Sequence, residues 1–307
     1  MLTGLVIAAR IAEFLGAVVI FGSPLFLIYG VGEAVEAAGR GWSRRLLIGA
    51  GLLVLLGTAG ALMGQTATMA GDPAVATDPA TVWEVISGSQ FGRAVAVRLA
   101  AGLFALLTAF AWRPSRRRSG ALAGLGAIVL ASFAWTGHGA ADDGFAGLVH
   151  LGADVLHLLA AGVWLGALAV LLMLVLTADA SDPAALRGLH RALEGFSGVG
   201  SAVVAMLVLT GLVNSWFLIG LSRLAAIASS AYGLILLAKL SAFAAMLGLA
   251  ALNRFRLTPR LEAAFTGGSA SGVQVDLRKS LLLETAAGVV VLGLVSALGV
   301  LAPLSAQ

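Results

Sequence analysis

The stretch GLVHLGADVLHLLAAGVWLGALAVLLMLV, residues 147–175, decides the fold class of this chain. It is long and apolar enough to cross a bilayer as one helix, because a hydrocarbon core of about 30 Å needs roughly 20 such residues. His150, Asp154 and His157 interrupt it at positions i, i+4 and i+7. On a helix these three side chains fall within about 60° of one another. Ionisable groups inside a membrane segment are costly, so this row is a candidate functional site.

The composition of the whole chain agrees with a membrane protein. Of its 307 residues, 60% are hydrophobic and 11% are charged, whereas a soluble domain carries about 25% charge. This excludes the soluble enzyme folds, and we predict no enzymatic activity. The chain has no cysteine, which rules out thiolate metal sites and iron–sulfur clusters. Its basic residues are spread over short loops, so the basic pI does not indicate nucleic-acid binding.

Eight apolar stretches are long enough to span a lipid bilayer, and strand-like alternation is absent. The sequence therefore predicts an all-α, polytopic membrane helix bundle that forms a single domain over residues 1–307. The predicted spans are 4–31, 45–64, 92–112, 120–138, 147–176, 195–219, 231–252 and 280–302.

Basic residues predict the orientation of these helices. Fourteen of the 19 lysines and arginines fall in alternate loops, and such loops face the cytoplasm. Both termini are then outside the cytoplasm, which in a bacterium means the periplasm. In this topology residues 65–91 form a periplasmic loop, and residues 253–279 form a flexible cytoplasmic loop.

The same orientation gives the row in the fifth span a direction. His150 lies near the periplasmic surface and His157 near the midplane, as on an ion-access route. His138 ends the fourth span on this side, and Met63 and Met69 end the second. Imidazole, thioether and carboxylate together suit copper. The candidate metal ligands are therefore His138, His150, Asp154, His157, Met63 and Met69.

Each of these residues also has a purely structural interpretation. Histidines at helix ends, such as His138 and His150, are commonly interfacial, and the two methionines can serve in packing. Asp154 can form a buried ion pair with Arg98, which lies at a similar depth in the third span.

Four further charges inside the spans are candidates for the pathway or for ion pairs. Arg10 and Glu13 are i, i+3 neighbours and can pair with each other. Lys239 needs a carboxylate, and Glu13 or Asp154 is possible by depth. Glu284, near the cytoplasmic end of the last span, suits an exit ligand or the partner of an arginine.

Several motifs, taken together and in order, resemble the bacterial copper resistance D (CopD) inner-membrane proteins. That resemblance implies eight helices with periplasmic termini and a role in copper uptake, with copper delivered by a separate periplasmic CopC-like carrier. His138, His150 and His157 fall in the motifs, whereas the Met63/Met69 stretch is less typical of them. The motifs are FGRAVAVRLA (91–100), SFAWTGHG (132–139), HLGADVLHLLAAGVWLGAL (150–168), FSGVGSAVVAMLVLTGLVNSW (196–216), YGLILLAKLSAFAAMLGLAALNRF (232–255) and LRKSLLLETAAGVVVLGLVSALGVLAP (277–303).

The leading hypothesis is a protein that binds copper, as Cu(I) or Cu(II), and imports it along the His/Asp row. Two other classes stay open. Histidines on facing helices can ligate a b-type haem in an electron-transfer protein, although His138 and His157 differ in depth. An assembly factor that inserts copper into a membrane oxidase would carry the same residues without transporting the ion.

Overall fold

A computed structural model describes residues 2–31, 40–111, 113, 115–137, 144–179, 181–265 and 270–306. Within these residues the chain is helical with short connections and contains no strand. Eight of its helices are long and apolar enough to cross a membrane. The predicted all-α membrane bundle is therefore confirmed.

The described chain contains eight long α-helices and two short ones, besides short 3-10 segments. A π-helical turn, Asn253–Leu257, joins α8 to α9, so that Ala231–Ala264 runs as one continuous span. The helices are α1 (Leu2–Tyr29), α2 (Arg40–Ala70), α3 (Pro79–Gly88), α4 (Gln90–Phe110), α5 (Arg116–Ser132), α6 (Gly144–Thr177), α7 (Pro183–Ile219), α8 (Ala231–Leu252), α9 (Thr258–Ala264) and α10 (Ala270–Leu298).

The helices extend beyond the predicted spans. α7 begins at Pro183 rather than at 195, and the Asp182 carboxylate caps it by accepting from the Ala184 N–H; proline is favoured at this first position. Most of the predicted loops 65–91 and 253–279 is also helical. Hydropathy marks only the apolar part of a helix, whereas backbone hydrogen bonding continues into polar residues.

The segment between α2 and α4 is ordered by local caps. Asp78 precedes α3 and accepts hydrogen bonds from the Thr81 N–H at 2.9 Å and the Thr81 hydroxyl at 2.7 Å. These bonds stabilise the carboxylate and lower the pKa of Asp78. A carboxylate at a helix N-terminus also interacts favourably with the helix dipole.

Helix α1 lies at the centre of the first half of the bundle. It packs against α2, α5, α6 and α10. In the second half, α6 packs against α7 and α10, and α8 packs against α10. We call the end of the bundle at which α1 and α6 begin the His150 end, and the opposite end the arginine end.

Helices α1 and α6 approach each other closely through glycines. A Cβ atom on Gly22 would overlap the Gly162 carbonyl oxygen, and one on Gly166 would overlap the Gly22 backbone. The Ser23 hydroxyl donates to the Gly166 carbonyl at 2.9 Å in the same contact. Small residues spaced four apart allow this kind of backbone approach between membrane helices. The contact therefore fixes how α6, and the row on it, sits against α1.

We expect Gly166→Ala to destabilise the protein by about 1–3 kcal/mol, because the added methyl meets backbone that no side-chain rotation can move. Thermal denaturation in detergent measures this. Gly152→Ala, on the same helix with open space at its Cβ position, is the matched control and should be neutral or slightly stabilising. Equal midpoints for the two variants would contradict the close contact.

Candidate functional site

The row on α6 faces the interior of the bundle. His150, Asp154 and His157 line a cavity of about 190 Å³, which we call the upper cavity. α1, α5, α7, α8 and α10 supply its other walls, including Arg10, Asn214 and Lys239. Four helices, α1, α6, α7 and α8, therefore direct polar side chains into this one cavity.

The three side chains of the row are spaced along the helix and do not surround a single metal ion. At 1.5 Å per residue, His150 and His157 are about 10 Å apart along the helix axis. Within the described residues, no three His, Asp or Glu side chains lie close enough together to hold one metal ion. An ion entering this cavity would therefore meet the three side chains in succession.

His157 is oriented by a hydrogen bond from the neighbouring helix α7. Its Nδ1 lies 2.9 Å from the Thr210 hydroxyl, and that hydroxyl donates its proton to the Met206 carbonyl at 2.6 Å. Thr210 must then accept from Nδ1–H, which leaves the lone pair of the neutral imidazole on Nε2. This arrangement of an oriented ring with one available nitrogen is typical of metal-ligating histidines.

Asp154 is held by an asparagine and not by an arginine. The Asn214 amide donates to Asp154 Oδ1 at 3.2 Å. The Asn214 carbonyl oxygen is buried and has no hydrogen-bond partner within the described chain, which is unusual for a native protein. Lys239 lines the same cavity. The carboxylate and the orphaned oxygen together offer two oxygen ligands to a cation.

His150 is buried in the bundle. It is 2% exposed, and its ring stacks on Phe217 with centroids 4.5 Å apart and planes 5° apart. The interfacial interpretation of this histidine, which requires an exposed ring, is therefore wrong.

The predicted structural partner of Asp154 is also wrong. Arg98 pairs with Glu13, Nη1 to Oε2, at 3.0 Å, and both side chains are 1% exposed. Arg98 Nε donates to the Ser132 hydroxyl at 2.9 Å, and its guanidinium lies 3.7 Å from the Phe133 ring centroid. The similar depth of the two residues suggested that Arg98 pairs with Asp154. Because α4 packs against α2 and α5, Arg98 points away from α6.

The same pair corrects the expectation for Arg10. Glu13 takes its hydrogen bonds from Arg98 and from the Thr58 hydroxyl at 3.2 Å. Arg10 instead lines the upper cavity, with its guanidinium 5.7 Å from the Phe14 ring centroid. Its Nε has no hydrogen-bond partner among the described residues.

The remaining predicted ligands are not gathered at this cavity. His138 lies outside the described residues. Met63 is 43% exposed on α2, and Met69 lines a separate cavity between α2 and α3. Neither methionine belongs to the walls of the upper cavity.

A second cavity, of about 270 Å³, follows the upper one toward the arginine end. We call it the middle cavity; His157 and Lys239 line both cavities. Met246 on α8, 3% exposed, also lines it. From the sequence Met246 is indistinguishable from a core residue, because its position in an apolar span carries no sign of the cavity that it faces.

A third cavity, of about 310 Å³, lies nearer the arginine end and is called the lower cavity. Glu284, Asn253 and Arg254 line it, and Trp164 lines both this cavity and the middle one. Glu284 accepts from Trp164 Nε1 and from the Asn253 amide, both at 2.9 Å. Within the described residues it forms no ion pair, so the predicted pairing with an arginine is wrong.

Comparison with known proteins identifies the family. Residues 1–148 match the copper resistance protein D-like N-terminal domain, and residues 190–298 match copper resistance protein D. Copper resistance protein D of Pseudomonas syringae pv. tomato is 35% identical over 301 residues, covering 97% of this chain and 96% of the relative. No solved structure matches. With its eight apolar helices, this chain is a multi-pass inner-membrane protein that belongs to the copper resistance protein D family.

Proposed function

We propose that this protein imports copper from the periplasm through the second half of its helix bundle. The observation that carries the proposal is the continuity of the cavities: the row opens into the upper cavity, and His157 lines both that cavity and the next. The proposed orientation, with the His150 end and both termini periplasmic, follows from the distribution of basic residues.

The ligands along this route suit copper in either oxidation state. His150 and His157 offer imidazoles, Asp154 and Asn214 offer oxygens, and Met246 offers a thioether in the middle cavity. Imidazole binds both copper states, carboxylate favours Cu(II), and thioether favours Cu(I). Each position along the route offers few ligands, which favours transport of the copper ion over tight binding.

The charges that line the upper cavity regulate its affinity for a cation. Arg10 and Lys239 contribute positive charge there, and Asp154 contributes negative charge. In the metal-free protein Lys239 balances Asp154 across the cavity. A copper ion that binds Asp154 has to compete with the Lys239 charge, so copper binding at Asp154 stays reversible.

Delivery and driving force come from outside the bundle. The sequence contains no P-loop and no Asp-Lys-Thr-Gly phosphorylation motif, so a copper gradient, the membrane potential or hand-off from a carrier drives the flux. We propose a separate periplasmic CopC-like protein as the carrier. His138, in the segment that leads from α5 to α6, is the proposed first acceptor.

Copper uptake into proteoliposomes tests the function. Vesicles containing the protein should accumulate copper faster than empty vesicles, and His157→Ala should return uptake to the empty-vesicle rate. Glu194→Ala, a change at an exposed residue of α7 that lines none of the three cavities, is the control that should leave uptake unchanged. Copper binding without uptake would favour the assembly-factor alternative and overturn import.

A further inference from the structure

Two glutamates are fully buried in the described part of the chain, and their charges are balanced differently. Glu13 has the guanidinium of Arg98 as its counter-charge. Glu284, also 1% exposed, accepts only from two neutral donors, an indole and an amide. A buried carboxylate without a basic partner is costly, especially in a membrane. Glu284 therefore has no ion-pair partner among the described residues, and taking up a proton removes the cost of burying its charge.

The lower cavity is better suited to a proton than to copper. Its described walls contain serine, threonine and asparagine oxygens but no imidazole or thioether, and these oxygens are poor ligands for soft metals. The upper cavity also contains cationic side chains, but it has two imidazoles that can bind copper, whereas Arg254 in the lower cavity has none beside it. A proton on Glu284 neutralises the carboxylate without adding a second ion to the space.

A hydrogen-bond acceptor for the protonated Glu284 side chain lies beside it. Asn253, the first residue of the π-helical turn, is 6% exposed, and its carbonyl oxygen has no partner within the described chain. Its amide nitrogen donates to Glu284 Oε2 at 2.9 Å. Once Glu284 carries a proton, rotation of this amide lets the orphaned oxygen accept from the carboxyl O–H. π-Helical turns of this kind recur at functional sites.

Trp164 separates the middle and lower cavities. Among the described residues it is the one side chain that lines both. Its indole packs edge-on against Phe243, with ring centroids 5.9 Å apart, and its Nε1–H donates to Glu284 Oε1 at 2.9 Å. Hydrogen bonds to an ionised carboxylate are roughly twice as strong as those to a neutral group. The charge on Glu284 therefore determines how firmly Trp164 is held.

We propose that Glu284 is a proton-binding site whose carboxylate latches Trp164 across the passage between the middle and lower cavities. In this step a hydronium ion that enters through the lower cavity gives its proton to Glu284 Oε2 and leaves as water. The hydrogen bond from the Asn253 amide to Oε2 is replaced by one from the Glu284 O–H to the Asn253 carbonyl oxygen, and the bond from Trp164 Nε1 to the neutral carboxyl weakens. That this latch regulates copper passage rests on the proposed function, whereas the latch itself does not.

The surroundings of Glu284 contain few other groups that could produce a pH response. Arg254, in the π-helical turn that follows α8, is the one other charged side chain that lines the lower cavity within the described residues. The faces of α6, α7 and α10 that line it carry Trp164, serines and apolar residues. Lys239 and His157 lie beyond Trp164 in the middle cavity. A pH dependence of the latch is therefore assigned to Glu284, and substitution of Glu284 should abolish it.

The absence of cysteine from the chain allows a direct test by thiol labelling. Ala161→Cys places one thiol beside the middle cavity, and Ser197→Cys places one in the lower cavity, outside the latch. A small membrane-impermeant thiosulfonate is added to copper-free vesicles on the side from which Ser197→Cys reacts. The rate at Ala161→Cys is divided by the rate at Ser197→Cys at the same pH, which removes the pH dependence that the two thiols share. A pH dependence specific to position 161 would persist in the Glu284→Gln background.

We expect this ratio to rise about tenfold from mildly alkaline to mildly acidic pH, as the charge-assisted hydrogen bond weakens. Adding Glu284→Gln, which is permanently neutral, or Trp164→Phe, which lacks the indole N–H, should give the high ratio at both pH values. A ratio independent of pH, or a pH response that survives Glu284→Gln, would overturn the latch. Labelling needs no copper, so failure of the import proposal leaves this result interpretable, and unchanged labelling of Ser197→Cys shows that a variant is folded.

Discussion

Purified protein carrying His150→Ala and His157→Ala together should lose most of the copper that the wild type retains after dialysis. The two imidazoles are the nitrogen ligands of the upper cavity among the described residues, and the oxygens that remain bind soft metals poorly. Metal analysis of the two proteins, at equal protein concentration, measures the loss. Equal copper in both would show that the row is not the site.

Two further variants make this experiment specific. Thr210→Val keeps His157 but removes its Nδ1 partner, and loss of such an orienting group typically weakens metal binding by about 10–100-fold. His190→Ala removes a histidine on the arginine side of α7, where it contacts Glu194, and should leave the copper content unchanged. Copper lost equally from His190→Ala would indicate nonspecific binding to histidine.

Glu13→Gln should destabilise the protein more than any single change in the cavities. The substitution leaves the Arg98 guanidinium buried without its counter-charge, and breaking a buried pair in this way costs about 3–5 kcal/mol. Thermal denaturation in detergent and the yield of folded protein measure the effect. The double variant Glu13→Gln/Arg98→Met should recover much of the loss, because it removes the uncompensated charge.

A surface pair provides the control for this prediction. Arg260 and Asp276 lie 3.5 Å apart with side chains 61% and 46% exposed, and Asp276→Asn should change stability by less than about 1 kcal/mol. If Glu13→Gln were as mild as Asp276→Asn, the Glu13–Arg98 pair would not be a structural element of the first half of the bundle.

The sequence predicted the number and order of the membrane-spanning helices because hydropathy is a local property. Twenty apolar residues must span a bilayer whatever surrounds them, so all eight spans were identified. Helical periodicity likewise placed His150, Asp154 and His157 on one face, because 3.6 residues per turn needs no tertiary information. Their motifs also carried the family resemblance, which the comparisons confirm.

Partners across helices could not be predicted in this way. Arg98 and Asp154 lie at similar depth, yet the rotation of α4 directs Arg98 to Glu13. Two asparagines, rather than basic residues, hold Asp154 and Glu284, and an asparagine in an apolar span gives no sign of its partner.

The sequence by itself thus determined that this is an eight-helix membrane protein with an ionisable row in its fifth span. Only the tertiary structure decided that the row faces a cavity, that Met246 and Trp164 line the cavities beyond it, and that Glu284 has no ion-pair partner in the part of the chain that the structure describes. The reason is physical: insertion depends on the composition of each segment, whereas cavities and ion pairs depend on how helices rotate against one another, and contacts such as Gly22 with Gly166 fix that rotation.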